Sequence, residues 1–117
     1  DLAEIDLETG KVCIYKWGAA PSWVLRNSGA EKIGTAGPPP GLSVSKTRET
    51  VDKLSLRRGE ILVLMSDGMD GEAAMRSFRT EPGEPLGETA AKLLELGCRE
   101  ESDDATVAAI RLLPTST

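Results

Sequence analysis

The sequence predicts an α+β fold in which helices cover a mostly antiparallel sheet. Apolar and polar residues alternate with a period of two through the first third of the chain, which is typical of half-buried strands. Between Asp70 and Gly97 the apolar spacing changes to that of helices, and a last strand-like segment follows. Strands, then helices, then one returning strand make an α+β layout.

The first strands are expected to pair as antiparallel neighbours. Residues 2–7 and 12–17 alternate on either side of a turn, which predicts a hairpin. Shorter strands are predicted at 22–26 and 31–33, again with turn residues between them. Such short connections join antiparallel strands.

The middle of the chain predicts a buried central strand. Residues 34–41 hold three consecutive prolines and predict a stiff, extended connection, with a proline-rich ligand motif as the alternative. Strand character returns at 50–56. The run Ile-Leu-Val-Leu-Met at 61–65 has no alternation, so we expect it to be covered on both faces.

Two helices and a last strand complete the predicted domain. Ala73, Ala74, Met75 and Phe78 predict a short helix, and a second should carry Leu86, Ala90, Leu93 and Leu94 on one face and end at Gly97. Residues 105–113 read as the last strand. One domain is therefore expected over residues 1–113, with a polar tail at 114–117.

Composition excludes several kinds of chemistry. The 117 residues include no histidine, which rules out Ser-His-Asp and Cys-His nucleophiles and imidazole metal ligands. A net charge of -5 argues against a nucleic-acid partner, because such binding needs clustered Lys and Arg. Any reaction must therefore use carboxylates, hydroxyls, backbone dipoles or metals.

The remaining composition signals concern the cellular setting. Cys13 and Cys98 have no second cysteine nearby, and we expect buried, reduced thiols. No apolar run approaches the length of a membrane span and no export signal is visible, so a cytoplasmic chain that is not membrane-bound is expected. Because the sequence starts without methionine on strand-like residues, we expect it to be a piece of a longer protein.

Acidic residues follow one predicted strand and precede another. Asp67 comes directly after the buried strand, and Asp103 precedes the last strand. If these strands are antiparallel neighbours, facing side chains have Cβ atoms about 5 Å apart, and the two carboxylates converge. The alternative is that Asp67 and Gly68 form an ordinary turn and that Asp103 is a cap between the last helix and the last strand.

Convergent carboxylates without a nearby cationic side chain favour a metal. They repel each other unless a cation or a shared proton intervenes. Mg²⁺ or Mn²⁺ fits because these ions prefer oxygen ligands, and a metal-bound water is the evident source of a nucleophile in a chain without histidine.

Five short segments occur in a characteristic order along the chain. They are Thr9-Gly10-Lys11-Val12, Gly18-Ala19-Ala20-Pro21-Ser22, Pro40-Gly41-Leu42, Leu64-Met65-Ser66-Asp67-Gly68 and Asp103-Asp104-Ala105-Thr106-Val107. In this order they resemble the C-terminal half of the metal-dependent protein Ser/Thr phosphatases of the protein phosphatase 2C-like (PPM) superfamily. Within it they look most like the stage II sporulation protein E phosphatases, and the resemblance spans nearly all of residues 2–112.

The resemblance implies a fold and a site. It implies an αββα sandwich with a two-metal Mn²⁺ or Mg²⁺ centre that hydrolyses phosphoserine, with Asp67 and Asp103 as metal ligands. Gly68, Asp70 and Asp104 are implied in supporting or outer-metal positions. The implied partner is a phosphoprotein such as an anti-sigma-factor antagonist.

One expected motif does not occur in this sequence. The family's Asp-Gly-Met-Gly-x-Gly segment, which supplies the Asp that bridges both metals, should precede residue 1, so the chain alone is expected to be inactive. The alternatives are a catalytically inactive phosphatase-like binding module and a plain interaction domain. The longer protein could carry a membrane anchor, and exposed sheet edges in a half domain favour a homodimer.

Overall fold

The structure is a computed structural model that describes residues 2–16, 21–33, 50–79, 81, 83–98 and 104–113. These residues form strands and helices in the predicted order. The elements are β1 (Leu2–Ile5), β2 (Lys11–Lys16), β3 (Ser22–Arg26), β4 (Gly29–Ile33), β5 (Thr50–Ser55), β6 (Ile61–Met65), α1 (Gly71–Ser77), α2 (Leu86–Gly97) and β7 (Val107–Arg111).

The strands divide into two antiparallel sheets. One sheet has the order β1-β2-β5, and the other has the order β4-β3-β6-β7. Every pair of neighbouring strands in both sheets is antiparallel. The predicted α+β class is confirmed. The chain nevertheless passes from one sheet to the other and back, because β5 pairs with β2 and β6 pairs with β3.

The first core lies between the sheets. Alternate residues of each strand point into it, as the period of two requires. Val12 and Ile14 contribute from β2, while Val24 and Leu62 contribute from the four-stranded sheet, and each is at most 1% exposed. The remaining buried members of this cluster are Ile33, Leu56 and Leu112.

The second core lies between the four-stranded sheet and the helices. Trp23 and Val63 face Phe78, which follows α1, and Leu93 of α2. Both helices therefore cover the same face of one sheet, as predicted, and the described layers run sheet, sheet, helices. Leu62 and Val63 are neighbours in β6 that belong to different cores and are both 0% exposed. This confirms that β6 is covered on both faces.

The helix ends have different physical causes. Asp70 caps α1, because its side chain accepts a hydrogen bond from the Ala73 N–H. α2 ends at Gly97 as predicted, but Gly97 is not among the described glycines with a positive φ, so it is not a left-handed helix cap. A Cβ at Gly97 would lie 2.6 Å from Met69 Cε and 3.0 Å from the Ala74 Cβ, so the glycine allows close helix packing.

The expectation that both thiols are buried is wrong. Cys13 is only half-buried, because it points to the outer face of β2, opposite to Val12 and Ile14. Cys98 is exposed, since it lies just beyond the end of α2. Within the described part of the chain, neither thiol belongs to a disulfide.

Some strand boundaries differ from the predicted ones, and some predicted segments lie outside the described residues. β4 begins at Gly29, two residues before its predicted start, and β7 is shorter than the predicted 105–113. The proline segment at 34–41 and the tail at 114–117 lie outside the described residues. No helix among the described residues is long and apolar enough to cross a membrane.

Candidate metal centre

The two acid-bearing loops adjoin at one end of the four-stranded sheet. β6 and β7 pair with Met65 opposite Val107, so the end of β6 lies beside the start of β7. The pairing continues past the strands. The Ser66 N–H donates to the Thr106 carbonyl oxygen at 3.0 Å, and the Thr106 N–H donates to Ser66 Oγ at 2.9 Å. The neighbour relation on which the sequence argument depends is therefore present.

Asp67 sits in a tight turn that touches the opposite loop. The Met69 N–H donates to the Ser66 carbonyl oxygen at 3.1 Å, which closes the turn. A Cβ placed on Gly68 would lie 2.2 Å from the Asp104 carbonyl oxygen. The side chains of Asp67 and Asp104 are both exposed. We call residues 66–70 together with 104–106 the acid end.

Asp103 lies outside the described residues, so its convergence with Asp67 stays a prediction. Within the described ranges, no group of three or more His, Cys, Asp or Glu side chains could hold a metal ion. The described residues therefore do not complete a metal site by themselves.

Asp70 has a structural task that the sequence motif did not show. One carboxylate oxygen accepts the Ala73 N–H at 3.1 Å, which satisfies a free donor at the start of α1. An acid also opposes the positive end of the helix dipole. A role for Asp70 near an outer metal stays a prediction, as does a supporting role for Asp104.

The chemistry of the acid end fits a hard divalent cation. Asp67 and Asp104 offer exposed carboxylate oxygens, which are the donors that Mg²⁺ and Mn²⁺ prefer. No described Lys or Arg forms an ion pair with either side chain. The donor type and charge fit the metal, although the described set of ligands is too small to hold two ions.

The opposite end of the same sheet contains charges that sequence reasoning missed. Arg26 Nε lies 2.7 Å from Glu31 Oε2, and Arg26 Nη1 lies 2.7 Å from Glu60 Oε1. The hydrogen bond to Glu31, followed by that to Glu60, raises the pKa of the Arg26 guanidinium. Arg26 also donates to the Ser55 carbonyl oxygen at 3.3 Å, which ties the two sheets together.

A second charged group lies near Arg26. Thr89 Oγ1 donates to Glu84 Oε2 at 3.0 Å, and Lys92 Nζ pairs with Glu84 Oε1. The Lys92 hydrogen bond lowers the pKa of the Glu84 carboxyl group. A cavity of about 300 Å³ is lined by Arg26, Glu84 and Thr89, among others. We call these residues together the paired end, and they are Arg26, Glu31, Glu60, Glu84, Thr89 and Lys92.

Sequence reasoning missed one contributor to the acid end, Ser66, whose hydroxyl accepts a hydrogen bond from the Thr106 N–H. Its only sequence signal was its position directly before Asp67. For Gly68 the resemblance implied a supporting position, but not the close approach of the two backbones that the glycine allows.

The fold and this arrangement of strands match part of a phosphatase domain of the PP2C type. The Mn-presoaked structure of the phosphatase domain of the cell fate determinant SpoIIE from Bacillus subtilis matches with a TM-score of 0.75 and 26% identity. It covers 100% of this chain, which spans 57% of that domain's chain. A second structure of the same domain matches with a TM-score of 0.68 and 22% identity, over 100% of this chain and 59% of that one, and supports the fold.

The family follows from the sequence itself. The family model for stage II sporulation protein E (SpoIIE) matches residues 1–113, and the chain belongs to that family. No curated protein sequence matches this chain. The predicted resemblance is therefore confirmed, and so is the relation to a phosphatase domain fold.

Proposed function

We propose that the complete protein containing this chain is a metal-dependent protein serine/threonine phosphatase, and that this chain supplies one side of its metal centre. One observation carries the proposal. The end of β6 adjoins the start of β7, and the exposed Asp67 follows the one as the exposed Asp104 precedes the other, in a chain of the SpoIIE family.

Asp67 and Asp103 would hold Mn²⁺ or Mg²⁺. The cation, when bound, supplies positive charge for the phosphoryl oxygens and activates water for attack on phosphorus. The chain's own residues hold the site. Ser66 and Gly68 keep the Asp67 turn against the loop that precedes β7, and Asp70 anchors the turn to α1. Without a cation, the acid end would repel a phosphate group.

The proposed substrate is phosphoserine on a regulatory protein such as an anti-sigma-factor antagonist, in the cytoplasm. Family membership supports this choice. The charge of the acid end is consistent with it, because a dianionic phosphate then binds only where metal is present, which makes metal a condition of substrate binding.

A second candidate is a phosphatase-like module that binds its partner without catalysis. The observation in its favour is that the described residues hold no group of three metal-ligating side chains. The two candidates differ in whether turnover of phosphoserine occurs.

The test uses the full-length protein with a phosphoserine peptide and with p-nitrophenyl phosphate, in Mn²⁺ and in chelator. We expect Mn²⁺-dependent turnover that Asp67→Asn abolishes. Asp6→Asn is the matched control, because it makes the same chemical change in an exposed turn of the other sheet. The 117-residue chain alone should show negligible turnover. Turnover that resists chelation, or that survives Asp67→Asn, would overturn the proposal.

A further inference from the structure

Gly68 occupies a position where backbone meets backbone. A Cβ there would lie 2.2 Å from the Asp104 carbonyl oxygen, 3.0 Å from the Asp104 carbonyl carbon and 3.3 Å from Ala105 Cα. All three are main-chain atoms, which cannot rotate aside as a side chain can. At Gly71, by contrast, the nearest atoms to an added Cβ belong to the side chains of Trp23 and Met65.

Backbone conformation does not explain this glycine. The described glycines with a positive φ are Gly10, Gly29, Gly59 and Gly83, and Gly68 is not one of them. An alanine could therefore adopt the backbone angles of residue 68. What Gly68 provides is the absence of atoms on the side that faces Asp104.

The turn that holds Gly68 cannot easily move away from Asp104. Ser66 is bonded to Thr106 in both directions, at 3.0 Å and 2.9 Å. On the other side, the Asp70 N–H donates to the Gly97 carbonyl oxygen at 2.7 Å, and the Asp70 carboxylate caps α1. Since the turn is anchored before and after residue 68, a side chain there must push the Asp104 segment outward.

We propose that Gly68 is a positioning residue that sets the spacing between the Asp67 turn and the loop leading into β7. It acts through the backbone at Asp104 and touches neither metal nor substrate. This inference rests on the proposed function, because it assigns the spacing to cation binding by the two loops.

The decisive measurement is Mn²⁺ binding by calorimetry to the full-length protein without substrate. Gly68→Ala should weaken binding by about tenfold or more, the size seen when supports of metal ligands are removed. Gly71→Ala is the matched control, because its Cβ would lie 2.5 Å from Trp23 Nε1 and disturbs the core instead. Both variants should lower the melting temperature, but Gly71→Ala should retain Mn²⁺ affinity.

A second readout follows the backbone without any metal. Amide hydrogen exchange at Ser66 and Thr106 should accelerate in Gly68→Ala and remain near wild type in Gly71→Ala. Ser66→Ala introduces no clash and removes the acceptor of the Thr106 N–H, so it should show a smaller loss of affinity even if Gly68→Ala does not fold.

The outcomes separate the two proposals. If wild type binds Mn²⁺ and Asp67→Asn does not, but Gly68→Ala and Ser66→Ala both bind like wild type, the positioning role is wrong and the proposed function stands. If Asp67→Asn binds Mn²⁺ as well as wild type does, the metal site itself is wrong. Unchanged exchange at Thr106 in Gly68→Ala would also overturn the positioning role.

Discussion

The two ends of the four-stranded sheet differ in whether their carboxylates have a cationic partner among the described residues. At the paired end, Glu31, Glu60 and Glu84 each meet a cation within the described chain. At the acid end, no described cation pairs with Asp67 or Asp104, and both side chains are exposed. Carboxylates that are neutralised inside the chain stabilise the fold. Carboxylates left without a partner at a strand end are open to a ligand from outside.

The difference also separates two kinds of acid within the acid end. Asp70 is satisfied by a backbone N–H and holds a helix, whereas Asp67, three residues earlier, makes no such described contact. Substitutions at the paired end should therefore change mainly the stability of the fold, whereas substitutions of Asp67 at the acid end should change mainly metal binding.

The largest effect is expected at Arg26. Arg26→Met removes the cation from Glu60, whose side chain is 13% exposed, and breaks the link to Ser55. Glu60 keeps the Arg57 N–H as a donor but loses its cation, which should cost about 2 kcal/mol of unfolding free energy, less than for a fully buried pair. Urea denaturation of the chain measures it, with exposed Lys53→Met as the control. A loss below about 0.5 kcal/mol, typical of a surface pair, would contradict the comparison.

Asp70→Ala should give the next largest loss. Removal of a helix N-cap costs about 1 kcal/mol, whereas Asp70→Asn should be nearly neutral because asparagine caps as well. The same denaturation experiment compares both with Asp67→Ala, which should cost little. An equal loss for Asp67→Ala and Asp70→Ala would show that the acid end is a structural turn throughout.

Glu84 should give the paired end a dependence on pH. Its carboxyl pKa is lowered from the ordinary 4.5 by the Lys92 hydrogen bond, so its stabilisation is present above pH 4.5 and is lost as the pH falls through the lowered value. Thermal melts between about pH 3 and 7 should show a steeper acid-side fall for wild type than for Glu84→Gln. Parallel curves for the two proteins would contradict this account of Glu84.

Asp67→Asn and Asp103→Asn should have the smallest effect on stability. If the two carboxylates converge as proposed, each substitution relieves their repulsion, so the melting temperature without metal should stay the same or rise. Any Mn²⁺-dependent rise in the melting temperature should disappear. Even in the wild-type 117-residue chain this rise should be small, because a site with few protein ligands binds the ion weakly and a weakly bound ion stabilises little. A fall of many degrees for Asp103→Asn would instead identify that residue as a structural cap.

Local sequence patterns were enough to predict the helices and strands, but not which strands belong to which of the two sheets. Alternation predicts β2, and the unbroken apolar run predicts β6, because both patterns follow from burial within one strand. β5 pairs with β2 although the β3–β4 hairpin, which belongs to the other sheet, separates the two strands in the sequence. No local pattern encodes that choice, and the same is true of the Arg26 to Glu60 pair, which joins residues 34 apart.

The two candidate metal ligands were predicted from their positions in the sequence. Asp67 follows one predicted strand and Asp103 precedes another, and the resemblance then implied that both bind metal. Only Asp67 lies among the described residues, so the convergence of the two carboxylates stays a prediction. The roles of Ser66 and Gly68 come from contacts with a segment almost forty residues later in the chain, so their residue types alone did not reveal them.

The crossing of the chain between the sheets constrains the order in which the protein can fold. The β1–β2 and β3–β4 hairpins are local and can form early. The core between the sheets contains Val12, Ile14 and Val24 from these hairpins, and it also contains Leu56 and Leu62, so it cannot be complete before β6 has been synthesised. A folding intermediate that lacks β5 and β6 leaves part of this apolar surface without its native cover, and such surface is prone to aggregate.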